Sequence, residues 1–289
     1  MTLQQLLTDG TERLKQAGVP DNALDARYLL LAVWDISLAS FLAVRNKALP
    51  ETEEELGRQA RYEELIRQRA GRIPLQYLTG EQEFMGLSFS VNSSVLIPRQ
   101  DTETLVELVL EEQKDRTLSI LDMCTGSGCI AVSLARLGGY REVTALDISP
   151  EALKVAAGNA ERLLAEYGGS FQLKESDMFE QLSADQKFDI IVSNPPYIPS
   201  EVIEGLEPEV KDHEPRLALD GRTDGLLFYR ILAEQSGRYL KPGGFVYLEI
   251  GFDQAQEVER LFAEKGFTDF ETVKDMAGLN RVFRAKKSC

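Results

Sequence analysis

The chain reads as a doubly wound α/β domain whose parallel sheet is finished by an antiparallel pair, with a small helical domain in front of it. Three observations predict this. From Leu118 onward short apolar runs alternate with helical segments, the pattern of parallel strands joined by crossover helices. The last two runs, Phe267 to Lys274 and Arg281 to Ala285, lie too close together for a crossover helix, so they must pair antiparallel. Before about residue 70 the apolar residues recur at helical spacing only.

Leu3, Leu6, Leu7 and Leu14 mark one face of a first helix. Val19-Pro20-Asp21 ends it, and Asp21 stands where an N-cap belongs. Ala23 to Val33 is dense enough for a buried helix, and Thr52 to Arg69 is long and charged. In and after it Arg58, Arg61, Arg67, Arg69 and Arg72 alternate with glutamates and read as a solvated face. Pro74 and Gly80 change the texture. Gln82 to Phe84 and Leu87 to Val91 alternate around Met85-Gly86 as a β-hairpin, and Thr102 to Gln113 follows as an amphipathic helix with Asp101 as cap. The expected divisions are a helical domain over 1–73, a hairpin linker over 74–96 and an α/β domain over 97–289.

Within the last division the strands fall at Leu118–Met123, Glu142–Asp147, Phe171–Lys174, Phe188–Ser193 and Phe245–Ile250, before the closing pair. A helix from Cys129 to Leu137 follows the first strand. Ser149-Pro150 opens another with a capping hydroxyl and Pro at the first helical position. The helix from Gly225 to Leu240 stops at Lys241-Pro-Gly-Gly244, and a last helix covers about Asp253 to Lys265.

Composition narrows the function classes. The 289 residues, 43% apolar, can bury one large core and one small one. A formal charge of −15 argues against tracking a phosphate backbone, which Lys and Arg drive. No window approaches 18 apolar residues and no basic, then apolar leader opens the chain, so neither membrane insertion nor secretion is expected. Cys124, Cys129 and Cys289 show no metal-binding spacing and are odd in number, as incidental thiols of a reducing cytoplasm would be.

Two loops carry chemistry. Cys124-Thr-Gly-Ser-Gly128 joins the first strand to its helix, and a glycine-rich turn of this kind lets a ligand approach the backbone at a helix start. Asp147 ends the second strand, placed to take both hydroxyls of a ribose. Because Gly126 to Ala131 also satisfies G-x-G-x-x-A, this turn alone serves a nicotinamide or flavin as well as S-adenosylmethionine. After the third strand Asp177 can meet an adenine amine and Met178 can cover its ring; a solvated cap and an ordinary core methionine are the alternatives.

The second loop, Asn194-Pro-Pro-Tyr197, leaves the fourth strand. It suits methyl transfer to a planar NH2 group, whose nitrogen is a poor nucleophile because its lone pair is delocalised. The Asn194 oxygen and the Pro195 carbonyl can accept the two hydrogens while Tyr197 packs on the plane. The antiparallel end of the sheet favours this over hydride transfer, since a dinucleotide half-domain continues with parallel crossovers. The expected reaction is direct in-line transfer with neither a covalent intermediate nor a metal. Arg99 either reaches a ligand carboxylate or anchors its loop. His213, the one histidine, reads as a loop residue rather than a base.

Arg72-Ile-Pro-Leu-Gln-Tyr77, Gly80, Phe84, Pro98-Arg-Gln-Asp-Thr-Glu103, the two loops above, Glu214 to Gly221 and Asp224-Gly-Leu226 together resemble the HemK/PrmC family of peptide chain release factor glutamine methyltransferases. The likeness runs nearly end to end. It implies a seven-stranded, Rossmann-like S-adenosylmethionine methyltransferase fold and methylation of the glutamine amide in the Gly-Gly-Gln motif of class 1 release factors. By the same resemblance Thr125, Gly126, Ser127, Gly128 and Asp147 bind the cofactor, with Asn194 approaching it too, and Asn194, Pro195, Pro196 and Tyr197 hold the substrate; placement in the sequence adds Cys124, Asp177 and Met178 on the cofactor side and Arg99 on the substrate side, and Asn194, Pro195 and Tyr197 are the expected catalytic residues. The helical domain is implied to grip the release factor. A cytoplasmic monomer with no direct nucleic-acid contact is expected. Two positions depart from the family pattern: Cys124 stands where Gly is commoner, and Met178 where some members carry an aromatic ring. The alternatives are methylation of an exocyclic amine of adenine or cytosine in nucleic acid, which shares the N-P-P-Y chemistry, and an adaptor that keeps the fold for binding only.

Overall fold

Thr2 starts the first helix, α1 (Leu3–Gln16), through a capping box, its hydroxyl accepting from the Gln5 N–H while Gln5 Oε1 accepts from the Thr2 N–H. Four further helices follow: α2 (Asn22–Trp34), α3 (Leu38–Val44), α4 (Glu53–Ala70) and α5 (Leu75–Thr79). Leu6, Leu14, Leu29, Leu30, Phe41, Tyr62 and Ile66 are buried together between them, each contributing about 1.5–3 kcal/mol of apolar burial. Asp21 precedes α2 as expected but makes no side-chain cap bond, because its backbone (φ −94°, ψ 38°) lies outside the extended region from which a cap reaches back.

The structure, a computed structural model, describes residues 1–288, so Cys289 lies outside the described residues. The described chain divides into two units: Met1–Gly80 with Glu207–His213, and Glu81–Leu206 with the chain from Glu214 onward.

In the helical unit the arginine row is only partly solvated. Arg58 and Arg67 pair with Glu54 and Glu64 on the exposed face of α4, as its spacing predicts. Arg69, however, is 6% exposed and bridges Asp25 Oδ2 at 2.7 Å and Glu209 Oε1 at 2.8 Å, and Arg72 pairs with Glu207 and Glu209. Burial pushes the Asp25 carboxyl up despite the Arg69 guanidinium. Burial also opposes ionisation of Glu209, yet its bonds from Arg72 and Arg69 bring it down to about 2. A buried guanidinium is tolerated only when paired this fully.

The second unit opens with the expected hairpin, β1 (Glu81–Phe84) and β2 (Leu87–Ser90), followed by α6 (Gln100–Glu112). Helix α6 starts earlier than the sequence suggests: Arg99 holds the cap position, and Asp101 lies inside the first turn, 3.5 Å from Arg281, rather than capping it. An acid there still suits the positive end of the helix. Then come β3 (Ser119–Met123), α7 (Cys129–Ser133), β4 (Glu142–Asp147), α8 (Pro150–Leu163), β5 (Ser170–Glu175) and β6 (Phe188–Ser193). The apolar run after Cys129 is α-helical only to Ser133 and continues as a π turn over Leu134–Gly138. Ser149 caps α8 by accepting from the Ala152 N–H at 3.2 Å.

After β6 lie the short helices α9 (Ser200–Ile203) and α10 (Pro208–Lys211), the latter counted with the helical unit. The chain closes with α11 (Leu227–Tyr239), β7 (Leu240–Glu249), α12 (Ala255–Ala263), β8 (Phe267–Lys274) and β9 (Asn280–Lys287). β7 begins at Leu240, five residues before the expected start, because a bulge opposite Asp189 absorbs Lys241-Pro-Gly-Gly244 and lets Leu240 pair with Phe188.

The sheet order is β5-β4-β3-β6-β7-β9-β8; the first five strands are parallel, and β9 is antiparallel to both its neighbours. Alternate residues of each central strand feed two cores, Leu121, Met123, Ile191 and Leu248 on one face and Ile120, Ile190, Val192 and Tyr247 on the other. The chain winds outward from β3 to β5, then restarts beyond β3 with β6. That reversal makes the carboxyl ends of β3 and β6 a topological switch point, where open α/β sheets bind ligands.

Candidate active site

Register brings the two chemical loops together. Met123 pairs with Ser193 across β3 and β6, so the turn starting at Cys124 and the loop starting at Asn194 leave the sheet side by side, tied by the Ser193 hydroxyl donating to the Met123 carbonyl at 2.7 Å. They flank a cavity of roughly 270 Å³.

The glycine turn is held from beneath. The buried Asp122 Oδ2 accepts from the Thr125 hydroxyl at 2.6 Å and the Ala131 N–H at 3.2 Å. Asp147 Oδ2 accepts from the Gly126 N–H at 2.8 Å and its Oδ1 from the Ser149 N–H at 2.9 Å, while Asn159 of α8 donates to the Ser127 carbonyl. Gly126 faces open space at the cavity wall. Gly128 (φ 81°) opens α7, and a Cβ there would lie 3.2 Å from that of Ala156, so glycine serves both conformation and helix packing. Cys124 adopts φ 62°, a left-handed conformation that costs a side-chain-bearing residue about 1–2 kcal/mol and that glycine would adopt freely.

Burial drives two of these carboxyls upward. Asp147 is raised, its bonds from Ser149 and Gly126 opposing the shift. Asp122, wholly enclosed, is pushed up to about 7 from 3.8, against its bonds from Thr125 and Ala131. The folded protein therefore takes up a proton as pH falls through about 7, whereas the unfolded chain does so only near 3.8. This group supports the fold fully below 3.8 and loses that support as pH rises through 7. Melting temperatures from pH 5 to 8.5 should show wild type losing stability relative to Asp122→Asn as pH rises; parallel curves would contradict the assignment.

Of the residues singled out from sequence, Arg99, Cys124, Thr125, Gly126, Ser127, Asp147, Asp177, Met178, Asn194 and Pro196 line the cavity, and Gly128, Pro195 and Tyr197 adjoin these in the same two loops. Asp177 is exposed, and Met178 is buried with its sulfur 3.9 Å from that of Cys124. Arg99 lines the cavity while its guanidinium pairs with the buried Glu214, whose carboxyl burial pushes up. His213 belongs to the helical unit and lies 3.3 Å from the Gly71 carbonyl.

The Asn-Pro-Pro-Tyr loop is anchored through groups the sequence reading passed over. Asn194 Nδ2 donates to Thr102 Oγ1 at 3.3 Å, and Thr102 Oγ1 donates to Glu249 Oε2 at 2.6 Å. The Tyr197 hydroxyl donates to Glu249 Oε1 at 3.1 Å. Burial raises the Glu249 carboxyl, with Thr102, Arg281 and Tyr197 opposing. Glu249 stands at the carboxyl end of an otherwise apolar parallel strand, the one signal that could have flagged it. The Tyr197 carbonyl accepts from Gln254 Nε2 at 3.0 Å, and a Cβ on Gly225 (φ 73°) would lie 2.3 Å from that carbonyl. Gly225→Ala should therefore cost about 1–3 kcal/mol of stability in urea unfolding and slow turnover, while an unshifted midpoint would show the loop yields freely.

Comparison with known proteins now bears on this site. Residues 5–80 match the PrmC N-terminal domain family and residues 99–205 the methyltransferase small domain family. A crystal structure of a methyltransferase from Pyrococcus furiosus shares the fold at a TM-score of 0.53, with 18% identity over 81% of this chain and 99% of that one. The release factor glutamine methyltransferase of Geobacter sulfurreducens is 42% identical over 97% of this chain and 95% of its own.

The chain belongs to the release factor glutamine methyltransferase family.

The family member of Moorella thermoacetica is 44% identical over 99% of this chain and 98% of its own. The family resemblance drawn from the motifs and the Rossmann-like methyltransferase fold both stand. Among the described residues no single helix is long and apolar enough to cross a membrane, and no group of three or more His, Cys, Asp or Glu could hold a metal ion.

Proposed function

We propose that this enzyme transfers a methyl group from S-adenosylmethionine to the side-chain amide nitrogen of the glutamine in the Gly-Gly-Gln motif of class 1 peptide chain release factors. What carries the reading is identity of 42% and 44% to release factor glutamine methyltransferases over nearly the whole chain, with Asn194 set beside a nucleoside-sized cavity. The cavity suits the cofactor: Gly126 leaves room at the backbone, Asp147 offers a carboxylate to ribose hydroxyls, and Met178, Phe228 and Ile231 supply apolar walls for a base. Bound there, S-adenosylmethionine supplies an electrophilic methyl group on a sulfonium.

In this reading Cys124 to Ser127, Asp147, Asp177 and Met178 hold the cofactor, with Gly128 shaping the turn. Asn194 Oδ1 and the Pro195 carbonyl accept the two amide hydrogens, which turns the nitrogen lone pair toward the methyl group, and Tyr197 packs on the amide plane. The amide nitrogen turns acidic on methylation and releases its proton without a strong base. Pro196 stiffens the loop, and Arg99 secures its approach through Glu214. The 1–73 helical domain recognises the release factor, 74–96 links, and 97–289 catalyses. The enzyme works as a cytoplasmic monomer that needs no nucleic acid.

The test is transfer of labelled methyl to a purified class 1 release factor, its Gly-Gly-Ala variant and duplex DNA. Label on the release factor that vanishes with the glutamine supports the reading; label on DNA alone replaces it with base-amine methylation.

A further inference from the structure

We infer that Glu249, through Thr102, dictates which end of the Asn194 side-chain amide faces the substrate, and so acts as a positioning residue for methyl transfer. The inference deepens the proposed function and rests on its assignment of Asn194 as an acceptor.

A primary amide has two ends of similar shape and opposite polarity, and Asn194 works as an acceptor only with its oxygen toward the cavity. Its own geometry does not settle the choice, since a half turn about the last bond exchanges oxygen and nitrogen. The partner behind it settles it. Thr102 Oγ1 is a hydroxyl with one proton, and that proton is committed to Glu249 Oε2 at 2.6 Å. Committed in this way, the Thr102 oxygen can only accept, and the one group on Asn194 able to donate to it is Nδ2, which lies 3.3 Å away. Oδ1 is then left for the substrate.

The direction originates at Glu249 because an ionised carboxylate has no proton to return. Burial raises its carboxyl, but both of its oxygens act as acceptors, one from Thr102 at 2.6 Å and the other from the Tyr197 hydroxyl at 3.1 Å, and these bonds with the charge of Arg281 oppose the shift. One buried acid, 2% exposed, thus secures both the first and the last residue of the Asn-Pro-Pro-Tyr loop. Its backbone is independently fixed in β7, where Glu249 pairs with Val282 and its carbonyl accepts from the Tyr229 hydroxyl at 2.9 Å. The position is therefore rigid in the way a reference point must be. A neutral amide at 249 presents an N–H on one side. Aimed at Thr102, it makes Thr102 donate to Asn194 instead, which turns Asn194 Nδ2 toward the substrate. Aimed at Tyr197, it breaks that anchor.

The experiment uses the full chain with a purified class 1 release factor and compares wild type, Glu249→Gln, Thr102→Val and Thr102→Ser by single-turnover methyl transfer, release factor KM, and calorimetric binding of S-adenosylhomocysteine. Thr102→Val is expected to lower the transfer rate about tenfold or more and Glu249→Gln about a hundredfold, with KM and S-adenosylhomocysteine affinity within about twofold of wild type. Thr102→Ser, which keeps the hydroxyl, should restore most of the rate. Wild-type rates in Thr102→Val, or equal losses in Thr102→Val and Thr102→Ser, overturn the inference. The two threonine variants decide the matter even if Glu249→Gln does not fold. A wild-type enzyme that fails to label the release factor defeats the proposed function instead, so the two failures are distinct.

Discussion

Asn194→Ala is expected to lower the single-turnover rate of methyl transfer by about 10²–10³-fold while binding S-adenosylhomocysteine within a few-fold of wild type. The magnitude is that of removing one preorganised hydrogen-bonding group from a reacting centre. The split follows from placement. Asn194 begins the loop after β6, and its amide is held by Thr102, whereas the glycine turn depends on Asp122, Asp147 and Asn159. Truncation therefore removes an acceptor without loosening the turn. Alanine also leaves the Thr102 oxygen free to take a water, so the fold should lose little. Rapid-quench transfer and calorimetry on the same preparation check both halves. A variant with wild-type rate would remove Asn194 from the mechanism, and one that has lost the ligand would reassign it to cofactor binding.

Asp147→Ala is expected to act on the other half, weakening cofactor affinity by about 1.5–3 kcal/mol, or roughly 10- to 150-fold, with a smaller change in rate at saturation. Two losses combine. In the proposed reading the carboxylate accepts from ribose hydroxyls, and in the structure it holds the Gly126 and Ser149 N–H groups at 2.8 and 2.9 Å, so its removal slackens the turn. Asp147→Asn separates them, since it keeps one carbonyl acceptor without the charge, and should fall between wild type and alanine. Calorimetric titration of the three proteins with S-adenosylmethionine is the measurement. Equal affinities would mean that this carboxylate supports only its own loop.

How far the sequence carries the fold can be judged residue by residue. The strands around Ile120, Ala145 and Ile190 were legible because a strand buried on both faces is a short apolar run, and the closing pair because the short stretch 275–280 cannot hold a crossover helix. The positions of Asn194 and Asp147 at the carboxyl edge of the sheet were legible because one follows a strand and the other ends one. Arg69 was not: its spacing among glutamates on α4 is that of a solvated face, and the partner that makes its burial tolerable, Glu209, lies 140 residues away. Thr102 and Glu249, 147 residues apart, were missed for the same reason, since a hydrogen bond between distant positions leaves no local periodicity. The early start of β7 was hidden by Pro242 and Gly243, which read as a break and turn out to fill a bulge.

Cys124 opens the glycine turn at the cavity, yet it is poorly armed for chemistry of its own. Burial and the nearby Asp147 and Asp122 carboxylates push its thiol far above the ordinary range, and burial brings Cys129 up to about 12. Thiolate is the form that electrophiles and peroxide attack, and at neutral pH neither side chain supplies it in quantity. The Cys124 sulfur therefore serves mainly as packing, 3.9 Å from the sulfur of Met178. Thiol-directed reagents should accordingly modify Cys124 and Cys129 only slowly at neutral pH.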